Sequence, residues 1–136
     1  MSSAPATTAA ARQGRAASLA TWALKILLAL AFLAAAGAKL AGVPMMIQVF
    51  DQIGLGQGFR IVTALVELGG AIALFVPGLT ALAALWLGVT MVWAIVAHVA
   101  VLHSSPGGAV VLLVLNLVLL WLRRSELAVL RARYLP

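Results

Sequence analysis

Four nearly unbroken apolar stretches dominate the chain, at about residues 22–41, 59–76, 79–102 and 107–122. Their hydrophobic residues run continuously and do not alternate with polar ones. At these lengths that pattern selects helices over strands. A helix needs about 20 apolar residues to cross a ~30 Å hydrocarbon layer. The first three stretches come close to that length, and the centre of the first, Ile26 to Ala38, carries no charge. The fourth is shorter, its surest part running from Ala109 to Leu122, and needs flanking residues or a locally thinned bilayer. Pro77-Gly78 and the run His103-Ser-Ser-Pro-Gly-Gly punctuate the later stretches as tight turns.

Between the first two stretches, VPMMIQVFDQI at 43–53 follows a helical period of its own. Gln48, Asp51 and Gln52 share one face, and Val43, Met46, Ile47, Phe50 and Ile53 the other. Pro44 suits a first helical turn and Gly54 an end. This segment is too short to span and predicts an amphipathic helix lying in the membrane interface. The expected fold is therefore all-α: a four-helix transmembrane bundle with a short interfacial helix between spans one and two. Residues 1–20, rich in Ala, Ser and Thr, read as a disordered basic tail, 21–124 as the membrane domain, and 125–136 as a second basic tail. That second tail alternates arginines with Leu127, Leu130 and Tyr134, a pattern for a partial helix along the membrane.

Composition supports the membrane and narrows the chemistry. Apolar residues make up 65% of the chain and charged residues 9%, too few to wet the surface of a soluble domain. There is no cysteine, which excludes mechanisms that use a protein thiol or disulfide. Two histidines and three carboxylates argue against a protein-built metal centre. The net charge of +6 sits in the two tails beside apolar spans, so anionic lipid is the expected partner and nucleic acid is not. Arg12, Arg15 and Lys25 precede the first span, and Arg123, Arg124, Arg131 and Arg133 follow the fourth. With four spans both ends share a side, which the positive-inside rule makes cytoplasmic, in a bacterial plasma (inner) membrane. A signal peptide competes at the start: Arg12, Arg15 and Lys25 as its basic region, Ile26 to Leu33 as its core, and Ala-Ala-Gly-Ala as a cleavage site.

Each span carries one conspicuous polar group: Lys39, Glu67, His98 and Asn116. The helical rise puts them about 3, 12, 6 and 10 Å from the outer ends of their spans, all in the outer half of the bilayer. Small and polar residues surround Glu67 at helical spacing (Arg60, Thr63, Ala64, Gly70, Ala71), a stripe suited to close helix approach. Intramembrane ionisable groups need a partner or a proton. Three readings stay open: an ion pair of Lys39 and Glu67 that fixes packing, the floor of a ligand or proton site, or a Lys39 that merely snorkels. Trp86 and Trp93 share a face, where Trp93 would stack on a ring such as a quinone headgroup or simply pack. No nucleophile–base–orienter set, phosphate loop or metal-spaced histidine pair is visible.

With these residues the chain resembles the DoxX-like family of small four-helix membrane proteins, over roughly Ala23 to Arg124. The resemblance rests on LAFLAAAGAKLAGVPMM, GLGQGFR, ALVELGGAIALFVPGL, AIVAHVAV and LVLLWLRR in that order. The family's Gly-x-Lys element matches Gly37 and Lys39, its second-span Glu matches Glu67, and its third-span polar position matches His98. The inner turn Pro77-Gly78-Leu79 departs from relatives that carry a basic residue there. The resemblance implies limited things about function. Some relatives are small subunits of a thiosulfate–quinone oxidoreductase, others associate with redox or detoxification proteins, and distant ones act as cargo receptors or chaperones. The expected function is a non-catalytic helper or binding subunit working with a protein partner or as a homo-oligomer, linked to redox or quinone metabolism. The alternatives are a quinone-coupled oxidoreductase subunit, with quinone as cofactor, and a small proton-coupled transporter.

Overall fold

The computed structural model describes residues 4–135 and is all-α, with no strand among them. Six helices follow one another: α1 (Ala4–Leu40), α2 (Pro44–Ile53), α3 (Gln57–Ala73), α4 (Thr80–Ala100), α5 (Gly107–Leu122) and α6 (Arg124–Tyr134). Helix α1 lies along α3, α3 against α4, α4 against α5, and α5 returns to α1. The core is their shared interior, built from Leu28, Phe32, Leu74, Leu87 and Leu119, all fully buried, with Ala71, Ala84 and Met91 between them. The Leu, Val and Ile residues on the opposite faces, among them Leu30, Val62, Leu65, Val89 and Val114, remain exposed on the outside. An apolar exterior around an interior in which large residues alternate with alanines at the helix contacts is the pattern of a helical protein solvated by lipid.

Ala6–Leu40 and Thr80–Ala100 are long and apolar enough to cross a membrane, and the bent pair α5–α6, with 64° between its axes, brings the count to three if taken as one span. Helix α3 has 17 residues and α5 has 16, so each rises only about 24–26 Å. Backbone hydrogen bonds carry the α3 chain on as turns from Leu74 to Leu79, where Gly78 takes a positive φ of 80°. The single-residue break at Arg123 separates α5 from α6.

The first twenty residues correct an expectation. Residues 4–20 are helical and continuous with the first apolar stretch, not disordered, while residues 1–3 lie outside the described residues. Alanine, which dominates this segment, is the strongest helix former, and an already nucleated helix extends at little cost. From Ala6 to Ala20 every residue is exposed, so helix propensity carries much of this part.

Helix α2 forms where its pattern placed it. Pro44 begins it without needing an N–H donor, and Gly54, at φ 80°, ends it in the left-handed conformation that glycine adopts without cost. Its apolar face turns Phe50 inward, where the ring sits 5.9 Å from that of Phe59 on α3. A bond from Gln57 Nε2 to Asp51 Oδ1 (2.6 Å) and one to the Ile47 carbonyl (3.0 Å) tie α2 to the start of α3.

Candidate functional site

Lys39 stands in the last turn of α1, and Glu67 lies in the middle of α3, ten residues from its start. The two helices pack side by side, and the ammonium reaches both carboxylate oxygens: Nζ donates to Oε2 at 2.8 Å and to Oε1 at 3.1 Å. Glu67 is buried, its side chain 4% exposed, and that of Lys39 is 12% exposed. A carboxylate removed from water this far is tolerable only when its lone pairs are occupied and its charge is opposed. Close approach of the helices makes the contact possible. Ala36 precedes Lys39 by three residues and Ala64 precedes Glu67 by three, and both are essentially fully buried.

Arg60 completes this end of the molecule, and its role was not legible in the sequence. Its Nη1 donates to the backbone carbonyl of Lys39, and its Nε donates to Gln57 Oε1 at 2.6 Å. The guanidinium is thus a second donor to a carbonyl at the C-terminus of α1, which also accepts from the Gly42 N–H at 3.2 Å, and its positive charge complements the negative end of the helix dipole. Gly42, with φ 65°, lets the chain turn beneath it. The only signal available beforehand was that Arg60 lies seven residues, two turns, before Glu67 on one face.

The other candidates do not join this pair. His98 is half-buried near the end of α4, and its Nδ1 lies 2.8 Å from Ser104 Oγ in the following turn. Asn116 is fully buried on α5; its Nδ2 donates to the Leu112 carbonyl one turn back at 2.8 Å, and its Oδ1 has no protein partner. It packs against Gly88 of α4, where a methyl group would lie 3.7 Å from Asn116 Cβ. Trp93 is 67% exposed and Trp86 54%, so both rings face outward and neither covers the Lys39–Glu67 pair. No described hydrogen bond links His98 or Asn116 to Lys39 or Glu67. An apolar furrow of about 310 Å³ opens between α3 and α4 over Gly70, under Leu82 and Trp86, and none of the polar candidates lines it.

At the opposite end, a second polar arrangement holds α6. Glu126 Oε2 accepts a hydrogen bond of 2.9 Å from the backbone N–H of Ala81, in the first turn of α4. Its Oε1 accepts one from Arg123 Nε at 2.8 Å and pairs with the Arg123 Nη2 group. A carboxylate at a helix N-terminus satisfies an orphan donor and meets the positive end of the dipole. Beside it, Thr80 Oγ1 donates to the Leu74 carbonyl at 3.1 Å. Three aromatic–cation pairs mark the same end: Lys25 over Trp22, 4.7 Å from the ring centre, and over Phe75, 5.9 Å away, and Arg124 over Trp121, 4.6 Å away. Trp22 also touches Phe75 beyond the end of α3, with ring centres 6.2 Å apart. Glu126 was missed in the sequence because nothing in a basic tail says which helix its lone carboxylate will meet.

Helices with an apolar exterior, small residues where they approach closely and a buried charge pair define an α-helical membrane protein. A family model matches residues 23–122, and the chain belongs to the DoxX-like family. That match begins within α1 and ends with α5, so it takes in Lys39, Glu67, His98 and Asn116 and leaves out α6. No curated protein and no solved structure matches the chain.

Proposed function

We propose that this DoxX-like protein is a four-span module of the bacterial plasma membrane that serves as a non-catalytic helper or binding subunit for a partner in redox or quinone metabolism. The observation that carries the reading is the closed Lys39–Glu67 pair. Both oxygens of the one buried carboxylate are occupied by a single ammonium. A carboxylate held in this way braces two helices but is poorly disposed to take a substrate proton. The quinone-coupled oxidoreductase and the proton-coupled transporter both use Glu67 toward a ligand or proton, and its pairing with Lys39, with the Trp93 ring turned away from that pair, weighs against them. The arrangement therefore favours the helper over both.

The four spans of this reading are α1 from Trp22 onward, α3, α4 and α5, with α2 in one interface and α6 in the other. The distance from Trp22 to Lys39 along α1 is about 26 Å, close to the lengths of α3 and α5. Spans so matched fit a hydrocarbon layer a few ångströms thinner than the usual ~30 Å, at fractions of a kcal/mol per Å. Trp22 and Trp121 with their cations suit the headgroup level at the α6 end. Both basic termini then share the cytoplasmic side. Because the chain has no cysteine, single cysteines at positions 12, 48 and 131 report topology without background. Labels from the cytoplasmic side should reach 12 and 131, and labels from the other side should reach 48.

The function is tested by what copurifies in mild detergent with the wild type and with Glu67→Gln. A stable protein partner, retained by the wild type and weakened in the variant, is the expected result. A chain that emerges alone from every native membrane preparation would refute the helper role.

A further inference from the structure

We propose that α6 is a binding surface for anionic phospholipid, with Arg131 as its principal phosphate contact. Arg124, Leu127, Ala128 and Arg131 follow one another at spacings of three, one and three and so share one side of the helix, with Leu135 just past its end. Leu127, Ala128, Arg131, Ala132 and Leu135 line a shallow, mostly apolar furrow of about 430 Å³, with Arg131 its one charged residue. A cation set in an apolar trough matches an amphiphile whose phosphate and glycerol–acyl portions lie next to each other.

Three further features single out this helix as a lipid contact. Its sole carboxylate, Glu126, is taken up by Ala81 and Arg123, so Arg124, Arg131 and Arg133 are left unopposed within α6. The 64° bend after α5 lays α6 across the end of the molecule, where it packs on α4 and exposes Arg131 and Leu135. Arg124 is folded back over Trp121, donating to its carbonyl at 2.7 Å, which sets this end of α6 at the level where indole rings meet headgroups. Charge complementarity therefore selects bilayer phospholipid as the occupant. The surface lies outside the family-matched residues and does not depend on the helper role.

The test is native mass spectrometry of the full chain released from micelles containing equal amounts of phosphatidylglycerol and phosphatidylcholine. The wild type should retain phosphatidylglycerol preferentially. Arg131→Gln should lower that preference roughly fivefold, as expected for one basic group at an anionic surface, while Arg131→Lys keeps most of it. Helicity by circular dichroism should be unchanged, because the Arg131 side chain is exposed. Arg124→Gln, on the same face, should act in the same direction. An unchanged preference in Arg131→Gln overturns the proposal. So does an equal loss in Arg131→Gln and Arg131→Lys, which would mean that shape and not charge is read. Displacement of the lipid by millimolar inorganic phosphate would reassign the site to a free anion, and preference for phosphatidylglycerol only in the presence of a copurifying acidic protein would reassign it to that partner.

Discussion

Removing either member of the Lys39–Glu67 pair should destabilise the protein by ~3–5 kcal/mol, because it leaves the other charge buried without compensation. The geometry supports the upper half of that range for Lys39→Met. Nζ serves both oxygens, at 2.8 and 3.1 Å, and the Glu67 side chain is only 4% exposed, so water cannot readily replace the ammonium. Glu67→Leu should cost less, because the longer Lys39 side chain is 12% exposed at the end of α1 and its head can turn toward the interface. The double variant Lys39→Met/Glu67→Leu buries no charge at all. It should lie between neutrality and a gain of ~1–4 kcal/mol, as other buried pairs replaced by apolar residues do. A double-mutant cycle, followed by equilibrium unfolding in mixed micelles, should thus give a coupling of several kcal/mol. Additive effects, or single substitutions that each cost less than ~1 kcal/mol, would refute the view that this pair holds α1 to α3. The same variants divide structure from function: if the double variant regains stability but not its partner, the charges themselves are read by that partner.

Other consequences of the packing can be checked with the same unfolding assay. A methyl group at Gly70 would fall 2.5 Å from Leu87 Cδ2 and 2.7 Å from its Cγ, inside a fully buried side chain. Gly70→Ala should therefore cost ~1–3 kcal/mol despite alanine's better helix propensity, and Leu87→Val should recover part of that loss in the double variant. Glu126→Ala should destabilise by ~0.5–2 kcal/mol through the uncapped start of α4, with faster amide exchange at Ala81 as the local sign. Asn116→Leu removes a fully buried acceptor that has no protein partner and should be neutral or stabilising by ~1–3 kcal/mol. A clear loss of stability there would mean that Oδ1 is satisfied by a bound group.

Much of this molecule could be read from one dimension. Apolar run length dictated helices and lipid, because unpaired backbone amides are prohibitive in hydrocarbon. Pro44, Gly54, Pro77 and Gly78 marked their turns through φ restrictions that act locally. The stripe of Ala64, Gly70 and Ala71 announced the inward face of α3, and the outcome at those residues follows from the 3.6-residue period alone. Residues 4–20 extend α1 on the helix propensity of an alanine-rich segment, a signal that apolar run length does not carry.

What the sequence by itself determined is therefore the helices of the apolar stretches, the inner face of α3 and the need for Glu67 to find a partner or a proton. Only the tertiary structure decided the pairings. Four polar groups expected at similar depths do not converge unless their helices are also turned toward one another, and rotation about the axis depends on packing across the interior. Here α1 and α3 are turned so that Lys39 meets Glu67, while His98 bonds to its own turn and Asn116 to its own helix. The same holds for Arg60 on the end of α1 and Glu126 on the start of α4, contacts between residues 21 and 45 positions apart. Backbone groups at helix ends are present in every sequence, and which side chain reaches them is settled by the fold.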